Sequence, residues 1–346
     1  MSNANNAIIS KSKAMYGDFL KSEDYERMIK FTTISDIVSY LKKHPFYESI
    51  LKDINEKAVH RGQLELLIRK NNFDRILKLI HSVYSKDKSY YQLSVIKQES
   101  DLILSVLRTI ISDDDLETIK GKVPYFFDVH TDIDLTKLMA SETFEELIES
   151  LKDSDYYKIV RPYYVKDKTL IRYLDIEYKL EMYYFDEAFV RIDNNYNGRL
   201  ARDLKDLYYT RIELQNLTKI YRLKKFYQAD PLTIKNLLVL KHSRLKERKL
   251  DEIIELKEPN DILNYLTHSN LKYYKNDQDF VYIEYYAGKI RYDLAKKFMY
   301  FATDVPKVFT AFLTLIEIQN DNLTNIIEGV RYQVSEVEMQ QMLIYT

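Results

Sequence analysis

Apolar residues recur along most of this chain at three- and four-residue spacing, the period that gathers them on one face of an α-helix. Leu323, Ile326, Ile327 and Val330 show the stripe plainly. Tyrosine often stands at its margins in pairs, as at Tyr90-Tyr91, Tyr156-Tyr157, Tyr183-Tyr184 and Tyr273-Tyr274. A phenol ring covers apolar area while its hydroxyl stays wet or bonded, so the pairs predict helices packed at a boundary, half buried.

A longer period overlies the short one. Thr33-Ile34-Ser35-Asp36-Ile37 through Leu41, Thr143-Phe144-Glu145-Glu146-Leu147 through Leu151, and Glu258-Pro259-Asn260-Asp261-Ile262 through Leu266 share one pattern, at offsets of 110 (143 − 33) and 115 (258 − 143). Each predicts a helix start. Thr33 and Thr143 precede an acid by three residues, the capping-box spacing, and Pro259 sits where a first-turn proline is tolerated. A second block follows in the same order: Asp101-Leu102, Asn216-Leu217 and Asn322-Leu323 are predicted to open similar helices. A third echo, Ile176-Glu177-Tyr178 with Asp186 and Ile283-Glu284-Tyr285 with Asp293, links the later two repeats. Three helical units result, spanning residues 1–111, 112–227 and 228–346, with helices free to pack across the boundaries.

Composition sharpens this picture. Among 346 residues there are 6 Gly and 6 Pro, where average usage predicts roughly 41 of the two together. A sandwich or barrel with a turn every 8–12 residues or so is therefore not expected. The six glycines are too scattered for a phosphate-cradling loop, which excludes the dinucleotide fingerprint and the P-loop. No cofactor is expected. The absence of Cys removes disulfides, thiolate nucleophiles and zinc fingers, and suits a reducing compartment. Lys+Arg 52 against Asp+Glu 53 leaves a net charge of −1, so no global field draws in nucleic acid or an anionic membrane. Met1 to Ser10 is polar, without the basic region of a secretory signal. No uncharged window approaches the roughly twenty residues of a spanning helix.

Candidate chemistry is sparse. The six histidines (His44, His60, His81, His130, His242, His268) stand singly, with no i, i+4 ligand pair. Asp128-x-His130-x-Asp132-x-Asp134 is oxygen-rich, but Ile133 and Met139 stand where a calcium hand has Gly and Glu, so a polar linker is expected and no metal. Ser112-Asp113-Asp114-Asp115 predicts a helix N-terminus, where acids complement the dipole. The sequons at Asn216 and Asn322 fall inside the repeated helix. Two basic stretches remain: Lys219 to Lys225, with Arg222 and Lys224, and Lys241 to Lys249, with Arg244, Lys246 and Arg248. With Tyr221 and Phe226 nearby, such a stretch suits either a nucleic-acid backbone or a protein partner. The neutral net charge favours the protein, with Lys219, Arg222, Lys224 and Lys225 as the candidate contact surface.

Certain segments carry a family likeness. Ala7-Ile8-Ile9-Ser10-Lys11-Ser12-Lys13-Ala14-Met15, on through Phe19-Leu20 to Asp24-Tyr25, resembles the start of the C subunit of the V/A-type ATPases, equivalent to the d subunit of the eukaryotic vacuolar enzyme. Glu213-Leu214-Gln215-Asn216-Leu217 with Ile220, and Asn322-Leu323 with Ile326-Ile327-Glu328-Gly329 after Val305-Pro306, resemble that family's Glu-x-x-Asn-Leu helix and its C-terminal helix. Two positions depart from the pattern: Val330-Arg331 follows Gly329 where the family has Lys, and Gln319 replaces the Glu before Asn322. The likeness implies an all-α fold whose three subdomains form a funnel of approximate threefold symmetry. It implies a non-catalytic rotor component, one copy per complex, peripheral on the cytoplasmic face of the membrane. Its implied partners are the central shaft subunits (D and F type) and the proteolipid ring. A helical scaffold or nucleic-acid-binding protein is the alternative.

Overall fold

A computed structural model describes residues 3–83, 88–112, 131–256, 258, 261–262, 264 and 283–345. Several motifs fall outside these residues: Asp113 to Asp115, Asp128 to His130, Pro259-Asn260, His268 and Tyr273-Tyr274. Every element among the described residues is helical, which is the all-α class the periodicity predicts. The chain divides into two compact units, Met1–Lys57 with Ile192–Thr346, and Ala58–Arg191.

The first unit opens with α1 (Asn3–Gly17), α2 (Ser22–Met28), α3 (Ile34–Leu41) and α4 (Glu48–Leu51). The second unit holds α5 (Arg61–Ile80), α6 (Lys88–Tyr91), α7 (Leu93–Ser112), α8 (Leu135–Ala140), α9 (Phe144–Ser150), α10 (Asp155–Val160) and most of α11 (Tyr173–Asn195). The chain then rejoins the first unit as α12 (Gly198–Tyr227), α13 (Pro231–Asn236), α14 (Glu247–Ile254), α15 (Ile283–Phe301), α16 (Val305–Tyr332) and α17 (Glu336–Gln341).

The predicted helix starts are present where they are described. Thr33 accepts a bond from the Asp36 amide and Thr143 from the Glu146 amide, and each acid reaches back to the capping residue, so both form full capping boxes. In each, the first apolar positions then go inside: Ile37 and Leu41 in α3, Leu147 and Leu151 at α9, all fully buried. Asn216 and Asn322 lie in the middle of α12 and α16, not at their starts. The reason is that their amides are bonded outside their own helices, as described below. Ser112 is the last residue of α7.

In the second unit, α7 packs Leu102, Ile103, Val106 and Leu107 against Leu147 and Ile148 of α9 and Ile176 and Leu180 of α11. Tyr156 reaches into this core and donates to the Glu99 carboxylate at 2.8 Å. Burial pushes the Glu99 carboxyl above its usual range, against the lowering pull of Thr131 and Tyr156. Tyr90 and Tyr91 are fully buried, deeper than their pairing predicts; they stack edge to face at 5.6 Å. In the first unit, α12 contributes Leu214, Leu217, Ile220 and Tyr221 to a core completed by Ile234, Leu250, Ile253 and Ile283. The opening segment docks on α16 through Phe19, whose ring lies 5.1 Å from Phe46 and 5.5 Å from Phe312. Among the described residues no helix is long and apolar enough to cross a membrane.

Candidate partner interface

Three long helices of the first unit carry its candidate contact surface. At 1.5 Å per residue, α12 is about 45 Å long and α16 about 42 Å. Charged side chains tie them to α15. Glu317 on α16 receives both Arg211 of α12, at 3.2 Å, and Arg291 of α15, at 2.5 Å. One carboxylate between two guanidinium groups links three helices at one level. A second tie joins Lys307 of α16 to Asp203 of α12, with Asp304 at 3.0 Å from the same ammonium. Burial alone would lower the Lys307 pKa, but the two carboxylates outweigh it and hold the ammonium charged.

The repeated Asn makes the same bond twice. Asn216 takes Val239 in a two-point grip, its amide nitrogen donating to the Val239 carbonyl and its oxygen accepting the Val239 N–H, both at 2.9 Å. Asn322 grips Ile344 in the same way, at 2.7 and 2.9 Å. Both Asn side chains are buried, so neither is a sugar acceptor in the folded chain. Each grip fastens the segment that follows a short returning helix: α13 after α12, α17 after α16. Glycine makes room for the second return. A Cβ on Gly329 would collide with the Met339 sulfur, and one on Gly288 with Ile344 Cδ1.

Three residues before each Asn, the repeats diverge. Glu213 is 1% exposed and meets Arg244 in a fork, Nε to Oε1 at 2.9 Å and a terminal nitrogen to Oε2 at 2.8 Å. Arg244 also reaches Asp206 and Thr210. Gln319, the position where the family pattern has Glu, accepts from the Leu20 N–H at 2.8 Å and donates to the Tyr47 hydroxyl at 3.0 Å. Both of these partners are neutral, so a neutral amide is buried there without an unpaired charge.

The predicted contact residues all lie on the last turns of α12. Lys219 donates to the Leu237 carbonyl at 3.4 Å and Lys224 to that of Ile254, covering carbonyls at or just past the ends of α13 and α14. Arg222 pairs with Glu284 at 3.6 Å, both half exposed. Lys225 bonds the Tyr221 hydroxyl and lies over its ring. Of the second basic stretch, Arg244 pairs with the buried Glu213. A separate cavity of about 580 Å³ opens between α1, α15 and α16, lined by Lys13, Tyr16, Tyr25, Tyr292, Lys296 and Tyr300 among others. Burial pushes the Tyr16 and Tyr25 phenols up, and Tyr292, with Asp293 beside it, up to about 12. These phenols stay protonated at neutral pH and offer hydrogen-bond donors, not a base or nucleophile.

Long, ion-tied helices with repeated clamps define an all-helical chain. The family model for the ATP synthase (C/AC39) subunit matches residues 8–342, and the chain belongs to that family. It is 24% identical over 261 residues to a protein from Methanosarcina acetivorans named as the C subunit of an A-type ATP synthase, covering 71% of this chain and 68% of the other. A protein of the same name from Methanosarcina barkeri is 24% identical over 282 residues, 76% of this chain and 73% of its own length. A third, from Methanococcoides burtonii, is 25% identical over 228 residues, 63% of this chain and 58% of its own length.

Proposed function

We propose that this chain is a non-catalytic central-stalk component of a V/A-type ATPase. It seats the central shaft (D and F type subunits) on the membrane proteolipid ring, at the cytoplasmic face, and passes torque between them for ion transport. Three helical repeats, 1–111, 112–227 and 228–346, surround a funnel of approximate threefold symmetry that receives the shaft, one copy per complex. The observation that carries this reading is the match over residues 8–342 to the family, with relatives named as the C subunit of an A-type ATP synthase.

The physics of the first unit supports the role. A torque coupler must resist shear, and helices of 28 and 30 residues joined by shared ion pairs, without Gly or Pro hinges at their centres, are stiff. The contact surface of this reading is the basic turn of Lys219, Arg222, Lys224 and Lys225. Three of its cations also bond carbonyls or a carboxylate of this chain. Reconstitution tests the proposal: the purified chain should bind both the shaft subunits and the detergent-solubilised proteolipid ring. Failure to bind either one overturns it.

A further inference from the structure

The cavity between α1, α15 and α16 gathers positive charge. Lys13 and Lys21 of the opening segment and Lys296 of α15 line it, with Glu23 the acid among the lining residues. The local balance is +2 (3 − 1), in a chain whose net charge is −1. Elsewhere the same helices match their cations with acids. On α15, Lys289 pairs with Asp293 and Arg291 with Glu317, and on α16 Lys307 meets two carboxylates. Among the described residues no carboxylate pairs with Lys13, Lys21 or Lys296. Their ammonium groups rest on neutral partners instead. Lys13 donates to the Tyr300 carbonyl at 3.2 Å, Lys21 donates to that of Gly17 at 2.8 Å, and Lys296 lies 5.2 Å from the centre of the Tyr292 ring.

The walls of the cavity are held in place by their own contacts. The Tyr292 hydroxyl donates to the Tyr345 carbonyl at 3.1 Å, Tyr25 stacks on Tyr345 at 5.1 Å, and Tyr16 meets Tyr300 edge to face at 6.1 Å. Buried Phe19, Met299, Leu315 and Ile318 supply apolar lining. A volume of about 580 Å³ falls within the range of small-molecule sites, roughly 300–1,000 Å³, which combine apolar walls with a few polar groups that fix orientation.

We propose that this cavity binds a phosphate monoester carried on an apolar or aromatic body. Such a group brings about 1.5–2 negative charges and three acceptor oxygens at pH 7, which answer the balance of +2 and the three ammonium donors; a carboxylate brings one charge. Lysine binds phosphate as a point charge on a flexible stem, so each ammonium can turn from its neutral partner to the ligand without breaking an ion pair. The apolar lining takes the body of the ligand. A ligand held in this way bridges Lys13 and Lys21 to Lys296 and fastens the opening segment to α15. The inference stands apart from the function proposed above, because it requires only this cavity.

Calorimetric titration of the full chain with adenosine monophosphate and with octyl phosphate tests it, the first representing a water-soluble source and the second a single-chain lipid. At least one should bind at a one-to-one ratio, more weakly as salt rises, and the tighter of the two identifies the source. Adenosine and octanol, which keep each body without its phosphate, should bind at least about tenfold more weakly, and Lys13→Ala and Lys296→Ala should each cost roughly tenfold, the loss of one hydrogen bond to a charged group. A second readout needs no variant: the tighter ligand should protect Lys13, Lys21 and Lys296 of the unaltered chain from acetic anhydride, read by mass spectrometry, and leave Lys225 as reactive as before. Absence of binding to either phosphate at millimolar concentration overturns the proposal. Equal affinity for inorganic phosphate, undiminished binding by Lys13→Ala/Lys296→Ala, or binding without protection of the three lysines overturns it as well.

Discussion

Glu213 and Gln319 hold corresponding places in two repeats and meet burial in opposite ways, one with a paired charge and one with a neutral amide. Glu213 is buried while the Arg244 side chain is about a third exposed, so removing Arg244 leaves a buried carboxylate without its partner, at a cost of about 1–3 kcal/mol. Arg244→Ala should therefore destabilise the chain by that amount in urea titration, while Glu213→Leu with Arg244→Leu should recover much of it; a loss under about 1 kcal/mol for Arg244→Ala contradicts this account. Glu99 predicts a pH effect of definite sign. Its carboxyl titrates near 4.5 when unfolded and higher when folded, because burial disfavours the charge. Between those values the folded chain keeps a proton that the unfolded chain has lost, so stability falls as pH rises through the interval. Glu99→Gln should flatten that limb and raise the melting temperature at neutral pH, as read by circular dichroism. A steeper limb in the variant is the contrary result. The substitution at Gln319 was readable in the sequence as a departure from the family pattern. Its cause was not, since Leu20 and Tyr47 are distant along the chain.

The elements themselves were legible where local chemistry specifies them. Thr33 with Asp36, and Thr143 with Glu146, announce helix starts because the capping bonds span three residues. Asn216 and Asn322 marked the repeat but misled on position, since an Asn that favours helix starts in isolation here serves a partner some twenty residues away. The turns after α12 and α16, where Gln228 and Gln333 are left-handed, had a signal that was missed: Tyr-Gln followed by Asp230 in one repeat and by Ser335 in the other, two good caps at one offset. Left-handed Gln was harder to see, because nothing in its side chain favours that conformation, which costs a non-glycine residue roughly 1–2 kcal/mol. Gln228→Gly and Gln333→Gly should each stabilise the chain by about 1 kcal/mol, less the extra entropy glycine gains when unfolded. Denaturant midpoints check this, and a destabilised Gln333→Gly shows that the Gln side chain holds the turn.

For the whole molecule, the scarcity of Gly and Pro already pointed to an all-α chain, and the motif segments with their spacing pointed to its family. Repeat spacing carries no information on which repeats pack together, so the composition of the first unit, residues 1–57 with 192–346, was invisible in it. That composition bears on how the protein is made. Leu20 and Tyr47 wait for Gln319, which lies 299 and 272 residues further along. At the usual pace of about 5–20 residues per second, the opening helices leave the ribosome roughly 15–60 seconds before their partner is synthesised. Phe19, Phe46 and Tyr47 spend that interval without the cover of α16. Holding chaperones are therefore expected to engage residues 1–57 during synthesis, while residues 58–191, one continuous stretch that forms a compact unit, close behind them.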